Sequence, residues 1–490
     1  MSISSKREKA VNIAIQAGIV VFLLFFFIRL CPLVVFDCDD WLCLGAYRLP
    51  IPRWKEWEPT RIMPGTLMPV AGWMAAHIIY PICGDYVYSV TIISSCIITF
   101  LIVVMCICFQ KVLIVRAQMP ACTALMCEIL FLVSFFAIFR NRGTSQCMFT
   151  AADLCCIYYY TMSGVLNAIV VLLLLQWKDV TEKFLSWNLI RKTGFCILVY
   201  FALFSNLFHS AITAIYAGAA LLFALYHCKD SFKEFVRKNM AYLFILAGWG
   251  IVLVLEITSG RAEVVGGESG LNLALSVQQL IAILLGLSKR FVVVILLLAV
   301  GIALLLGKRR LEGQGEFADI FAMLLCNGIL LTIFLLLLNS KTAYMSRIDA
   351  SWGIWFYLIA ATVVMAAYIA KSLPLMTKLL PIAIPICVIA TALPDGKFLM
   401  STREHTDYQT CIQLNKYVIN HIMEASQEGK EEIVIRIPDH SEDLRSLTYN
   451  EALGITVADC LYIQGIIERK PDVKTVLDKE MSDSDVVWPE

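Results

Sequence analysis

The sequence predicts a polytopic α-helical membrane protein with about eleven transmembrane helices, surface-lying helices in its outer loops and a small C-terminal α+β domain. Three observations carry that expectation. Of its 490 residues, 59% are hydrophobic and only 16% charged, and the mean hydropathy is +0.75; soluble domains carry roughly 25% charged residues. Apolar runs recur at the ~20-residue length that a bilayer demands. Lys and Arg gather in alternate connections, as cytoplasmic loops require.

The opening stretch, "MSISSKREKAVNIAIQAGIVVFLLFFFIRL", has an apolar part too long for a signal peptide and no small-residue cleavage pattern after it, so it reads as an uncleaved first span. Spans are expected at 12–35, 87–109, 120–138, 152–176, 193–208, 209–226, 240–256, 291–307, 317–338, 353–370 and 379–393. Residues 193–226 are too long for one helix, and a turn at "SNLFHS" divides them. With the N-terminus inside, the cytoplasmic connections hold Lys6, Arg7 and Lys9; Lys111 and Arg116; Lys178, Lys183, Arg191 and Lys192; Lys229, Lys233, Arg237 and Lys238; Lys308, Arg309 and Arg310; and Lys371 and Lys378. Two apolar stretches, 66–82 and 271–287, would invert every later loop if either crossed alone, so both are expected to lie on the outer surface. Residues 1–394 then form the membrane domain, with a first outer loop of about 37–86. Residues 395–490 change in kind. They are polar, with a helical "YQTCIQLNKYVINHIMEA" and a strand-like "EEIVIRI", enough for one small extracytoplasmic domain.

A net charge of +1 gives no reason to expect a nucleic-acid partner. There is no P-loop, GxGxxG, GxSxG or paired CxxC. Most of the eighteen cysteines lie within apolar runs (Cys96, Cys106, Cys108, Cys127, Cys196), where Cys acts as a small hydrophobe; a Cys38–Cys43 bridge is not expected.

The chemistry concentrates in the first outer loop. "FDCDDW" sets Asp37, Asp39 and Asp40 where the first helix reaches water, and "RWKEWEPTRIMPG" follows with Arg53 and Arg61. A carboxylate there could take a proton from a hydroxyl while guanidinium forks hold a phosphorylated leaving group. An ordinary loop with interfacial anchors explains the same residues equally well.

The order of first span, "DCDDW", proline-containing surface helix, "IYPICGDYVYSV" and second span resembles the GT-C class of integral-membrane glycosyltransferases, including the protein O-mannosyltransferase and aminoarabinose-transferase branches. The resemblance implies Asp39 as the base that deprotonates an acceptor hydroxyl, Asp40 as second choice and Asp37 as support. It implies that Asp153, in "RNRGTSQCMFTAAD", binds a divalent metal where one is used, and that Arg347 with Lys341 and Tyr344, in "KTAYMSRIDASWGIW", holds the donor phosphate. His209 of "SNLFHS" would line the substrate cavity. The implied reaction moves a sugar from a polyprenyl-phosphate-linked donor to a cell-envelope glycan or glycolipid hydroxyl, with inversion, at the outer leaflet of a bacterial inner membrane. Asp-Asp-Trp departs from the acidic environment usual in those branches, which leaves the donor sugar open. Glu128, mid-span, is expected to be paired or protonated, and Arg29 to reach the interface or a lipid phosphate. Two alternatives remain. A flippase for lipid-linked saccharides would carry carboxylates near the midplane, and an O-antigen-type polymerase or ligase would not need the acidic pair.

Overall fold

The computed structural model describes residues 3–137, 139–141, 144–151, 153–227, 231–265, 272–285, 287, 291–306, 314–339, 345, 347–373, 375, 379, 382–383, 385–386, 406–442 and 448–486. Eight helices among them are long and apolar enough to cross a membrane: Ala10–Leu30, Ile62–Cys83, Tyr86–Arg116, Leu154–Leu175, Leu207–Tyr226, Met240–Ile257, Gly315–Leu338 and Trp352–Ser372. All but Ile62–Cys83 coincide with expected spans. The spans expected at 120–138, 193–208 and 291–307 are helical but shorter, as Ala121–Ala137, Leu189–Leu203 and Phe291–Leu306. Most of 379–393 lies outside the described residues.

Leu154–Leu175 and Trp352–Ser372 are each 94% buried over their apolar window, against 17% for Met240–Ile257. The first two are therefore the centre of the bundle, and the last turns outward. Aromatic rings fill the centre: Phe109 stacks on Phe131 at 4.2 Å, and Trp352 lies 5.6 Å from Phe135 and 5.8 Å from Phe356. Gly164 permits this closeness, because a Cβ there would stand 2.7 Å from the Trp352 ring. Mid-bundle, Glu128 is fully buried and accepts a hydrogen bond from Gln16 at 2.7 Å, so the expected pairing is present.

The helix ends fall into two layers. At one, Ile62 and Met63 donate their backbone N–H groups to the Phe204 carbonyl, Thr60 donates to Glu256, and the Trp352 indole donates to the Met148 carbonyl. At the other, Arg116 donates to the Leu175 carbonyl and pairs with Glu316, Lys178 pairs with Glu316, and Lys371 donates to the Ala117 carbonyl. Arg116, Lys178 and Lys371, from three of the connections assigned to the cytoplasm, thus lie in one layer.

The tail runs helix Tyr408–Glu428, strand Glu432–Pro438, helix Leu453–Ile463, strand Asp472–Asp478. The strands pair in parallel, from Glu432 opposite Asp472 to Pro438 opposite Asp478. Along the first strand Ile435 and Ile437 are buried and Val434 and Arg436 exposed, the period-two pattern of a half-covered sheet. Gly429, at φ +71°, ends the first helix in the left-handed turn that glycine adopts without strain. The tail sits on the first layer of ends. Asn415 accepts from the Trp41 indole at 2.7 Å and donates to the Val35 carbonyl at 3.0 Å, while Gln464 donates to the Leu44 carbonyl at 2.6 Å. Gly72 is part of that seam, since a Cβ there would meet the Gln464 amide at 2.9 Å.

Candidate functional site

The first helix ends at Leu30, and a buried irregular stretch leads to Asp37. Asp37 caps the short helix Cys38–Gly45, its carboxylate accepting from Asp40 N at 3.1 Å. Asp153 does the same for the helix at Leu154, accepting from Cys156 N at 2.5 Å. Acidic caps are favourable because a helix start exposes unsatisfied N–H groups and a partial positive charge. Asp40 joins the two starts. One of its oxygens accepts from Phe36 N at 2.7 Å and Leu154 N at 3.2 Å, and the other from Cys155 N at 2.5 Å.

Three carboxylates are thereby gathered in little water. Asp40 is fully buried, and Asp37 is 6% exposed. Burial first, then the charge of Asp153, pushes the Asp37 carboxyl up to about 7, against the pull of the Asp40 and Asp39 backbone N–H groups. Burial, Asp37 and Asp153 hold Asp40 well above the usual carboxylate range. Burial also raises Asp153, though the Cys156 amide and Arg347 draw it down. Asp39 is exposed. It lies beside the cluster and weighs on Asp37 less than Asp153 does.

Two arginines flank the cluster on a tyrosine platform. The segment "IYYYTM" (Ile157–Met162) forms a wide π-helical turn in the central helix, and all three tyrosines are buried. Such turns recur at functional sites. Arg61 lies 5.1 Å over the Tyr159 ring and Arg347 4.6 Å over the Tyr160 ring. Each guanidinium is also held by a carboxylate: Arg61 by Glu58 at 2.7 Å, and Arg347 by both oxygens of Asp349 at 2.9 and 2.5 Å. Arg347 further reaches the Cys156 sulfur at 3.1 Å. Arg261 also pairs with Glu58, at 2.8 Å.

The structure brings together Asp37, Asp40, Asp153, Arg61 and Arg347 of the expected residues. Arg53 stands apart: it is exposed, and its ion-pair partner is Glu56 at 3.5 Å. His209 is fully buried and donates from Nε2 to the Asp349 carbonyl at 2.9 Å, so it positions the Arg347 loop from behind. Lys341 and Tyr344 lie outside the described residues. Cys38 and Cys43 are both free. Sequence reasoning missed Tyr159, Tyr160, Glu58 and Asp349. Three consecutive tyrosines behind an aspartate were the available signal, since side chains 100° apart cannot all face one neighbour in a regular helix.

Asp153, Cys155 and Cys156 bring one carboxylate oxygen and two sulfurs within 4.8 Å of one another. Sulfur donors suit zinc, whereas magnesium, calcium and manganese favour oxygen. The guanidinium of Arg347 against Cys156 sets a positive charge beside any cation bound there, so the fit is partial. No known protein family, curated protein or solved structure matches this chain, and function must be argued from this geometry.

Proposed function

We propose that this chain is an inverting membrane glycosyltransferase that takes a sugar from a polyprenyl-phosphate-linked donor and delivers it to a cell-envelope hydroxyl. The observation that carries the proposal is the gathering of Asp37, Asp40 and Asp153 in a buried cluster beside Arg347, at the end of the bundle where a lipid headgroup would meet water. In this reading Asp37 is the base in place of the expected Asp39. A carboxyl titrating near 7 can both accept and release a proton at the operating pH. Asp40 holds the two helix starts in register, and Asp153 keeps Asp37 basic.

The acceptor oxygen gives its proton to Asp37 and attacks the anomeric carbon. The bond from that carbon to the phosphate oxygen breaks, and the polyprenyl phosphate leaves with the electron pair. Arg347 and Arg61, oriented by their carboxylates and tyrosine rings, face the charge that develops on the phosphate. A zinc ion held by Asp153, Cys155 and Cys156 would add Lewis acidity; no step here depends on one.

A groove of about 490 Å³ supports a lipid donor. It is lined by Phe184, Phe195, Val199, Leu203, Phe204 and Phe244, among others, and runs from Thr181 in the basic layer to Phe204. The Phe204 carbonyl holds the N–H groups next to Arg61, so an isoprenoid lying there would point its phosphate at the site. Positive-inside bias assigns the basic layer to the cytoplasm and the site, with residues 395–490 as its cover, to the outer face. Helix Ile62–Cys83 then lies on the surface. Its contacts with the polar tail support this: the Pro69 carbonyl accepts from Gln464, and His77 lies against Gly465. A flippase is less well supported, since the carboxylates sit at helix ends.

Incubating the purified protein with a panel of polyprenyl-phosphate sugars and an acceptor extract tests the proposal. Release of lipid phosphate with some member of the panel, accompanied by a new glycosidic bond, is the expected result. Movement of donor across vesicles with no such bond would overturn it in favour of transport.

A further inference from the structure

A second polar pocket lies away from the carboxylate cluster, where the last turn of the first helix meets the start of helix Tyr86–Lys111 and the tail helix Tyr408–Glu428. It holds about 260 Å³ and is lined by Arg29, Asp85, Tyr88, Tyr408, Gln409 and Lys416 on its polar side and by apolar residues such as Ile28, Val87 and Ile412 on the other. Asp85 caps the helix through Tyr88 N at 2.9 Å and pairs with Lys416 at 2.7 Å. Arg29 is exposed and has no hydrogen-bond or ion-pair partner among the described residues. Two cations against one carboxylate leave the pocket with an excess positive charge.

An arginine at the end of a membrane span extends its head to the interface, where anions are within reach. Here the bundle supplies no partner, and the bilayer supplies one at that depth: a headgroup phosphate, which a guanidinium fork can hold with two hydrogen bonds. The two tyrosine rings are of the amphipathic kind that settles at the headgroup layer, and the apolar wall would receive the first part of an acyl chain. The volume, about 260 Å³, is just below the roughly 300–1,000 Å³ of common small-molecule sites and has room for a phosphate head.

We infer that this pocket binds the phosphate headgroup of an anionic phospholipid, which thereby clamps the tail helix to the first span. The site is separate from the proposed donor site and stands whether or not that reading does.

The test uses the full chain, delipidated in a non-ionic detergent, with lipid adducts and their dissociation constants read by native mass spectrometry. Probes are phosphatidylglycerol, phosphatidylcholine, polyprenyl phosphate and inorganic phosphate. The expected result is one saturable phosphatidylglycerol site, weakened about tenfold by Arg29→Gln, for loss of a charge-assisted bidentate contact, and less by Lys416→Gln. The control Lys55→Gln, an exposed cation outside the pocket, should bind as the parent does. Arg29 is exposed and Lys416 partly so, and an unchanged lipid-free thermal midpoint verifies that the variants fold. Undiminished phosphatidylglycerol binding in Arg29→Gln overturns the inference. So does equal binding of phosphatidylcholine, displacement by inorganic phosphate at matched concentration, which would mark a soluble ligand, or tighter binding of polyprenyl phosphate, which would make the pocket part of the donor site.

Discussion

The two ends of the bundle solve the problem of charge in opposite ways. In the basic layer, Arg116 meets Glu316 at 3.5 Å and the Leu175 carbonyl at 3.0 Å, Lys178 meets the same glutamate, and Lys371 meets the Ala117 carbonyl at 3.3 Å. Every contact joins unlike charges or places a cation at the carbonyl end of a helix, where the backbone dipole favours it. At the other end three carboxylates are buried together, and each resists ionisation. Like charges out of water cost free energy that folding gains nothing by spending. The arrangement at the first end is what stability alone would select. The second is the kind of local conflict that concentrates at working sites.

The largest expected effect sharpens that contrast. Asp37→Asn should lower polyprenyl-phosphate release by about 10²–10⁴-fold, the usual worth of a positioned base, while its thermal midpoint holds or rises because a crowded carboxylate is gone. Asp39→Asn, altering an exposed side chain, should leave release within about twofold. Release assays and thermal unfolding on the two variants check both points. A crippled Asp39→Asn beside an active Asp37→Asn would return the base to Asp39 and dissolve the comparison.

Next in size is the seat of the arginine loop. A methyl group at Gly164 would stand 2.7 Å from Trp352 and 3.0 Å from His209, and both side chains hold the 347–352 segment in place. Gly164→Ala should destabilise by about 1–3 kcal/mol, the cost of overpacking a filled core, and lower turnover as well. An unchanged midpoint by thermal unfolding would mean that the two rings can give way, and that Arg347 is less firmly placed than its contacts suggest.

The long apolar helices were legible because a 20-residue apolar run has few other uses. Residues 66–82 show where hydropathy stops being informative: the same composition serves a helix facing lipid or one facing a neighbouring domain, and here Pro69, Gly72 and His77 meet the tail. Within the site, Asp37, Asp40 and Asp153 were visible as acids near helix ends. Which of the acids loses water was not, because that depends on how the chain packs. Asp39 was favoured by family likeness, yet it is the exposed member of the three in the first loop. Tyr159 and Tyr160 were hidden for a related reason, since buried aromatics in a span read as core. Asp349 lay inside the quoted segment around Arg347, but its bidentate hold on that arginine needed the turn at residues 347–351 to bring the two together.

The basic layer offers a smaller effect of opposite character. Arg116→Ala removes a cap on the Leu175 carbonyl and one partner of Glu316. Stability should fall by about 1–2 kcal/mol, the range of a charge-assisted hydrogen bond reduced by partial exposure, with turnover per folded molecule unchanged. Denaturation and release assays on the same preparation check this. Lost turnover at full stability would show that the far end is coupled to the reaction.

The smallest effect is the dependence of stability on pH, and its sign follows from the carboxylate cluster. Asp37 titrates at about 7 when folded and near 3.9 when unfolded. Between those values a folded Asp37 binds more protons than an unfolded one, so its contribution makes stability fall as pH rises from about 4 to about 7 and levels off above. With Asp37 as the proposed base, turnover should climb through the same upper limit. The groups that face Asp37 are Cys38, Asp39 and Asp40 on its own helix, Asp153 at the neighbouring helix start and Cys411 on the tail helix. Asp40 and Asp153 are raised too, so the slope is shared, and Asp37→Asn should flatten it only in part. Thermal midpoints between about pH 5 and about pH 8 in one detergent are the measurement. A midpoint that rises with pH across that window would mean that the carboxylates are paired and stabilising when ionised, as the charges of the basic layer are, and the two ends would then not differ at all.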